Sequence, residues 1–210
     1  MIKNHYFIRF IPGAGGVHLS NLISLDATFN SKEIRLSKDQ YIKYLLTYYS
    51  SHPTKAHLKK HYIISNRDLW LTYLNQQDFN LPNAVHVGHA ASFYWVSDIL
   101  ETLKNKKFIS LTFNTDRSIE ILTNRGIEID IAWGGLFQNN PYMRQELSHF
   151  YQTEFISTDP TISNDDINLQ IEVEDLFNKN ISFLIDKINK KFNLDIPLEL
   201  AQNLHDLWIN

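Results

Sequence analysis

Three short stretches of this chain combine residue types that can bind or move charge, and the first is Gly13-Ala14-Gly15-Gly16. It follows the apolar run His5-Tyr-Phe-Ile-Arg-Phe-Ile11 and leads into Val17-His18-Leu19-Ser20, where a helix is expected to begin near Gly16. Such a strand-to-helix junction aims backbone N–H groups and the positive end of a helix dipole at one point, which suits phosphate or sulfate. Glycines keep side chains out of the way of a close ligand. The same residues also serve a tight turn with no ligand at all. Two stricter phosphate signatures fail. G-x-x-x-x-G-K-[ST] needs a lysine and a hydroxyl after its last glycine, and G-x-G-x-x-G needs glycine where His18 stands.

The second stretch is Ala84–Gly88 followed by His89. A neutral imidazole at a strand end can take a proton from an acceptor hydroxyl, with His86 and His18 as competitors for that role. A histidine that merely caps a strand or helix end is the plainer alternative. The third stretch is Asn114-Thr-Asp-Arg-Ser118. Arg117 and Ser118, or Thr123 and Arg125 one to two turns later, can hold a phosphate; equally, Asp116 can cap a helix whose start is simply polar. No metal site is expected. His86-Val-Gly-His89 lacks a third ligand, and His57-Leu-Lys-Lys-His61 lacks the glutamate of a zinc-protease helix.

The elements that must position these residues alternate in type. Tyr6–Ile11, Ala84–Gly88, Phe108–Phe113 and Asn168–Val173 read as buried strands. Apolar residues at three- and four-residue spacing mark helices over Phe93–Leu103 behind Ser92, over Ile181–Phe192 and over Leu200–Trp208. The fold class expected is α/β, a three-layer arrangement with a central mostly parallel sheet and helices on both faces, and ligands at the carboxyl ends of the strands. Residues 1–210 read as a single domain with a helical insertion around 37–80, whose many tyrosines serve either core packing or an acceptor pocket.

Composition excludes several classes. With 210 residues, 43% hydrophobic and 20% charged, the chain can bury a real core without staples. It has no cysteine, hence no disulfide framework, thiolate metal site or cysteine nucleophile. A formal charge of −3 argues against a general nucleic-acid binder, and the Lys55, Lys59, Lys60 cluster reads as a solvated face. No run approaches the roughly 20 apolar residues of a membrane span, and the start lacks a signal-peptide layout, so a cytoplasmic location is expected.

Taken in order, these stretches resemble the sulfotransferase family, whose P-loop-like fold uses 3′-phosphoadenosine 5′-phosphosulfate as donor. That family opens with a strand and the loop Tyr-Pro-Lys-Ser-Gly-Thr-Thr; Ile11-Pro12-Gly13-Ala14-Gly15-Gly16-Val17 looks similar in its proline and central glycine. Its base histidine closes the second strand, as His89 does here. Its Arg-Asn-Pro-x-Asp segment corresponds to Phe113-Asn114-Thr115-Asp116-Arg117-Ser118, and its Tyr-Glu-Asp-Leu ending to Ile171-Glu-Val-Glu-Asp-Leu-Phe177. The resemblance implies a phosphosulfate over Gly13, Ala14, Gly15, Gly16, Val17, His18, Leu19 and Ser20, and contacts from Asn114, Arg117 and Ser118 to the adenosine-side phosphate. It implies His89 as general base with His18 as a further catalytic candidate, no metal, and a hydroxyl or amine acceptor that is not specified. Glycine stands where the family has its loop lysine, Asn114 where it has arginine, and Leu122 where it has a later serine. A catalytically inactive nucleotide-binding or interaction module of the same fold is the alternative. A third reading, a kinase-like phosphotransferase, would need Mg²⁺ and a carboxylate near the loop.

Overall fold

The structure is a computed structural model that describes residues 2–10, 13–30, 36–51, 67–75, 80–89, 96–132 and 167–209. Among these, four strands alternate with helices in the order β1 (Asn4–Phe10), α1 (Gly16–Ile23), α2 (Lys38–Ser51), α3 (Arg67–Leu74) and β2 (Asn83–His89). There follow α4 (Ser97–Thr102), β3 (Lys106–Thr112), α5 (Asp116–Ala132), β4 (Ile167–Glu172), α6 (Val173–Leu176), α7 (Ser182–Phe192) and α8 (Leu198–Ile209). Helices α2 and α3 fall in the span read as a helical insertion. Ser92, Phe93, the lysine cluster at 55–60 and Trp133-Gly-Gly135 lie outside the described residues.

The strands form one sheet in the order β2-β1-β3-β4, and every neighbouring pair is parallel. Parallel strands covered on both sides need apolar residues at successive positions, and Tyr6, Phe7 and Ile8 are all buried. Successive side chains point to opposite faces. Tyr6 meets the Phe192 ring of α7 at 5.3 Å, whereas Phe7 meets the Trp70 ring of α3 at 6.2 Å. Helices therefore cover both faces, and the fold is α/β as the alternation of elements implied. The Phe7 ring is also stacked on His86 and Phe108 and is wholly buried; truncating it to alanine would cost about 3–5 kcal/mol.

The ends of the helices follow local chemistry. Helix α7 buries Leu184, Ile185, Ile188 and Phe192 along one stripe. It stops at Asn193 in the left-handed conformation (φ 53°), with Lys190 and Lys191 favouring the negative end of the dipole. At the exit of α1 the Lys38 ammonium donates to the carbonyls of Ser24, Asp26 and Phe29, and burial pushes its pKa down to about 8.

The strand order changes direction at one place in the sheet. From β1 the chain goes to β2 on one side, then crosses to β3 on the other, so the order reverses between β1 and β3. In open parallel sheets the crevice at the carboxyl ends of such a strand pair is the usual ligand position. The β1–α1 loop and the β3–α5 loop flank it here.

Candidate functional site

The β1–α1 bend is held open by backbone conformation and closed from behind by side chains. Gly13 and Gly15 adopt φ of 88° and 80°, in the left-handed region where an L side chain is strained. Gly15 is the N-cap of α1 and accepts the first helical bond from the Leu19 N–H at 3.0 Å. No side chain caps this end, and its first turn has no acidic residue. The first N–H groups of any α-helix have no acceptor within the helix, and here no carboxylate of the first turn competes for them. A methyl on Gly15 would lie 2.9 Å from Leu176 Cδ2 and 3.1 Å from Trp208 Cη2; a methyl on Gly16 would run into the Phe10 ring. Ala14 is fully buried. The inner side of the bend is packed by protein, so Gly15 and Gly16 are demanded by packing as well as by turn geometry.

Within the predicted stretch Gly13–Ser20, the side chains of His18, Leu19 and Ser20 point inward and are buried. The Ser20 hydroxyl turns back to the Val17 carbonyl at 2.7 Å. His18 belongs to a buried chain of hydrogen bonds whose direction is fixed by its two ends. The Asn178 carbonyl can only accept, so His205 donates to it through Nε2 at 2.7 Å. With His205 neutral, its Nδ1 accepts from His18 Nε2–H at 3.1 Å. His18 Nδ1 accepts in turn from the Tyr49 hydroxyl at 3.2 Å, and Asn21 Nδ2 donates to that hydroxyl at 2.7 Å. Both imidazoles are neutral in this arrangement. Burial lowers the pKa of His205 and raises that of the Tyr49 phenol, in keeping with those states. The Trp208 ring stacks on His18 with centroids 4.0 Å apart while its far edge abuts Gly15. Both ring nitrogens of His18 are thus engaged inside the fold; it supports the loop from below and contributes its backbone N–H to the first turn.

His89 is the last residue of β2 and stands opposite Phe10 in the β1–β2 register. It is on the same carboxyl rim as the glycine loop, as expected from its place in the sequence. Its side chain lies outside the described residues. His86, three residues earlier, is buried under α3: Trp70 Nε1–H donates to its Nδ1 at 3.1 Å, and its Nε2–H donates to His5 Nδ1 at 3.1 Å. This competitor for the base is an interior residue.

The segment after β3 is organised around a residue that the sequence did not mark out. Thr115, not Asp116, caps α5, its hydroxyl accepting from the Ser118 N–H at 3.0 Å. Glu172, at the end of β4, faces this cap because the register sets Thr112 beside it. Its Oε1 accepts from Thr112 Oγ1 and Asn114 Nδ2, both at 2.7 Å. Its Oε2 accepts from the Asn114 N–H and Ser118 Oγ, both at 3.1 Å. Ser118 is buried and also receives the Glu174 N–H at 3.2 Å. The structure therefore brings Asn114 and Ser118 together, but around a carboxylate. Arg117 is separate: it is exposed and paired with Glu120 at 2.8 Å, a surface pair of little energetic weight.

Among the described residues no three histidine or carboxylate side chains converge as a metal site, and no helix is long and apolar enough to cross a membrane. No protein-family model matches this sequence, and no curated protein matches it.

Proposed function

We propose that this chain is a sulfotransferase-like protein that binds the phosphosulfate end of a nucleotide donor over Gly13–His18 and passes the sulfuryl group to a hydroxyl or amine. The observation that carries the reading is the N-terminus of α1, set at the switch point of a parallel sheet with a left-handed Gly15 and no side-chain cap. In the transfer, the acceptor oxygen or nitrogen attacks sulfur in line and the bond from sulfur to the bridging oxygen breaks. The electron pair goes to that oxygen, now part of the nucleotide phosphate, and the acceptor proton goes to His89. First-turn N–H groups stabilise the charge that develops on the departing phosphate. Adjacent placement of both reactants on one rim supplies the rest. The protein acts in the cytoplasm and uses no metal in this scheme.

A second reading, nucleotide binding without turnover, is favoured by one observation: His18, the ionisable residue of α1, is consumed by Tyr49 and His205 and is not offered to a ligand. Two measurements separate the possibilities. Gly13 has a left-handed backbone that asparagine and aspartate tolerate better than other side chains, so Gly13→Asn and Gly13→Asp carry similar strain and differ in charge. Calorimetric titration with adenosine 5′-phosphate and with 3′-phosphoadenosine 5′-phosphate should show binding that Gly13→Asp weakens at least tenfold more than Gly13→Asn. No heat at millimolar concentration of either nucleotide overturns the reading. If binding holds, transfer of labelled sulfuryl to a panel of alcohols and amines should fall about 100-fold or more in His89→Ala; binding with no transfer by the native protein selects the second reading.

A further inference from the structure

Beneath the glycine bend, His18 and His205 form a buried pair of neutral imidazoles joined by one hydrogen bond of 3.1 Å. Two ring nitrogens of the pair carry no hydrogen. His205 Nδ1 receives His18 Nε2–H, and His18 Nδ1 receives the Tyr49 hydroxyl. A proton placed on His205 Nδ1 would meet the His18 hydrogen head-on. At the Tyr49 end it is accommodated: the hydroxyl turns, and its oxygen accepts from His18 Nδ1–H instead of donating. The hydrogen between the rings then bridges two nitrogens of the same kind in a charge-assisted bond, and the charge is common to both.

Burial opposes charge on His205, while the Asn178 carbonyl and the Asp206 carboxylate favour it. On α2 the Tyr49 phenol is held neutral by burial, with the Tyr48 ring beside it. Helix α1 carries no charged residue, and on α7 Asp186 and Lys190 pair with each other in solvent. Arg125 of α5 lies over the Phe177 ring, which in turn packs on Trp208. The Trp208 indole is stacked on His18 at 4.0 Å and 9°, so a charge on His18 faces its π surface and is attracted to it. The far edge of the same indole bears on Gly15. Gln202 ties α8 to the Lys179 carbonyl and the Ile181 N–H without the histidines, so the pair can change state while the helix stays docked. We propose that His18 and His205 take up one proton as a unit in mild acid, and that Trp208 transmits the change to the bend at Gly15. This property goes beyond the phosphate-loop reading and requires no ligand.

The test follows the ring resonances of His18 and His205, the indole N–H of Trp208 and the amide of Gly15 by NMR as pH is lowered from about 7.5. Circular dichroism of the helices, recorded alongside, marks the range in which the chain stays folded. Within that range both rings should titrate with one midpoint below about 6.5, their partial changes summing to about one proton. Trp208 and Gly15 should move with them. His205→Gln keeps a donor and an acceptor but no base, and it should lower the His18 midpoint by about one pH unit, a tenfold loss of proton affinity. Should that variant not fold, the native titration decides by itself. Separate midpoints, a response from one ring alone, or no response before helicity is lost overturns the shared proton. So does a His18 midpoint unchanged in His205→Gln. Rings that titrate together while Trp208 and Gly15 stay still overturn the link to the bend.

Discussion

At the level of single residues, the decisive fact about His18 is that every hydrogen in its chain of bonds has a single direction. Asn21, Tyr49, His18, His205 and the Asn178 carbonyl pass donors one way, so loss of any hydroxyl or ring leaves a neighbour without its partner. Tyr49→Phe removes one oxygen and almost no volume. It removes the donor to His18 Nδ1 and the acceptor of Asn21 Nδ2 in a buried site, which should cost about 1–3 kcal/mol. Urea unfolding of the variant against the native chain measures it; an unchanged midpoint would mean that the Tyr49 hydroxyl is not part of the network. None of this was legible in the sequence. His18 and His205 lie 187 residues apart, and a histidine in a first turn looks the same whether it faces a ligand or a tryptophan. The glycines show the opposite case. Their cluster was legible as a bend, but its cause is shared: positive φ at Gly13 and Gly15, and rings of Phe10 and Trp208 that occupy the space a side chain would need at Gly16 and Gly15.

At the level of elements, the strands were legible because both faces of this sheet are covered. Their sequences are apolar runs, not alternations, and such runs stand out without any knowledge of the fold. The strands begin one or two residues earlier than the expected runs do, at Asn4, Asn83, Lys106 and Ile167, because the residues just ahead of each run still pair with a neighbouring strand. Val173 looks like strand and instead opens α6, since Glu172 ends the ladder against Thr112. The helices α7 and α8 were legible for the complementary reason, an apolar stripe on an otherwise polar helix. What periodicity cannot show is which strand ends become neighbours. Glu172 gains its meaning from Asn114 and Ser118, more than 50 residues away, through the parallel pairing of β3 and β4. Pattern gave the Asn114–Ser118 segment its polar character; topology supplied the carboxylate at its centre.

At the level of the whole molecule, two histidine pairs buried in different parts of the core make the fold sensitive to mild acid. His5 accepts from His86 through Nδ1, with Trp70 donating on the far side of His86. A proton added to His5 Nδ1 would face the His86 N–H directly. Burial lowers the His5 pKa from 6.5 to about 4, and burial lowers that of His205 as well. Between those values the unfolded chain binds a proton that the folded chain refuses. Stability is therefore fully present above about pH 6.5 and declines as pH falls toward 4. Since one edge of His5 remains near solvent, its share is on the order of 2 kcal/mol, somewhat below the full linkage value. Urea unfolding at pH 7.0 and pH 5.0 should show the loss, and His5→Leu should show a smaller difference between the two conditions even though the variant is less stable at pH 7.0. Equal pH slopes for the native chain and His5→Leu would show that His5 already carries its proton in the folded state, and the neutral Trp70–His86–His5 chain of donors would have to be abandoned.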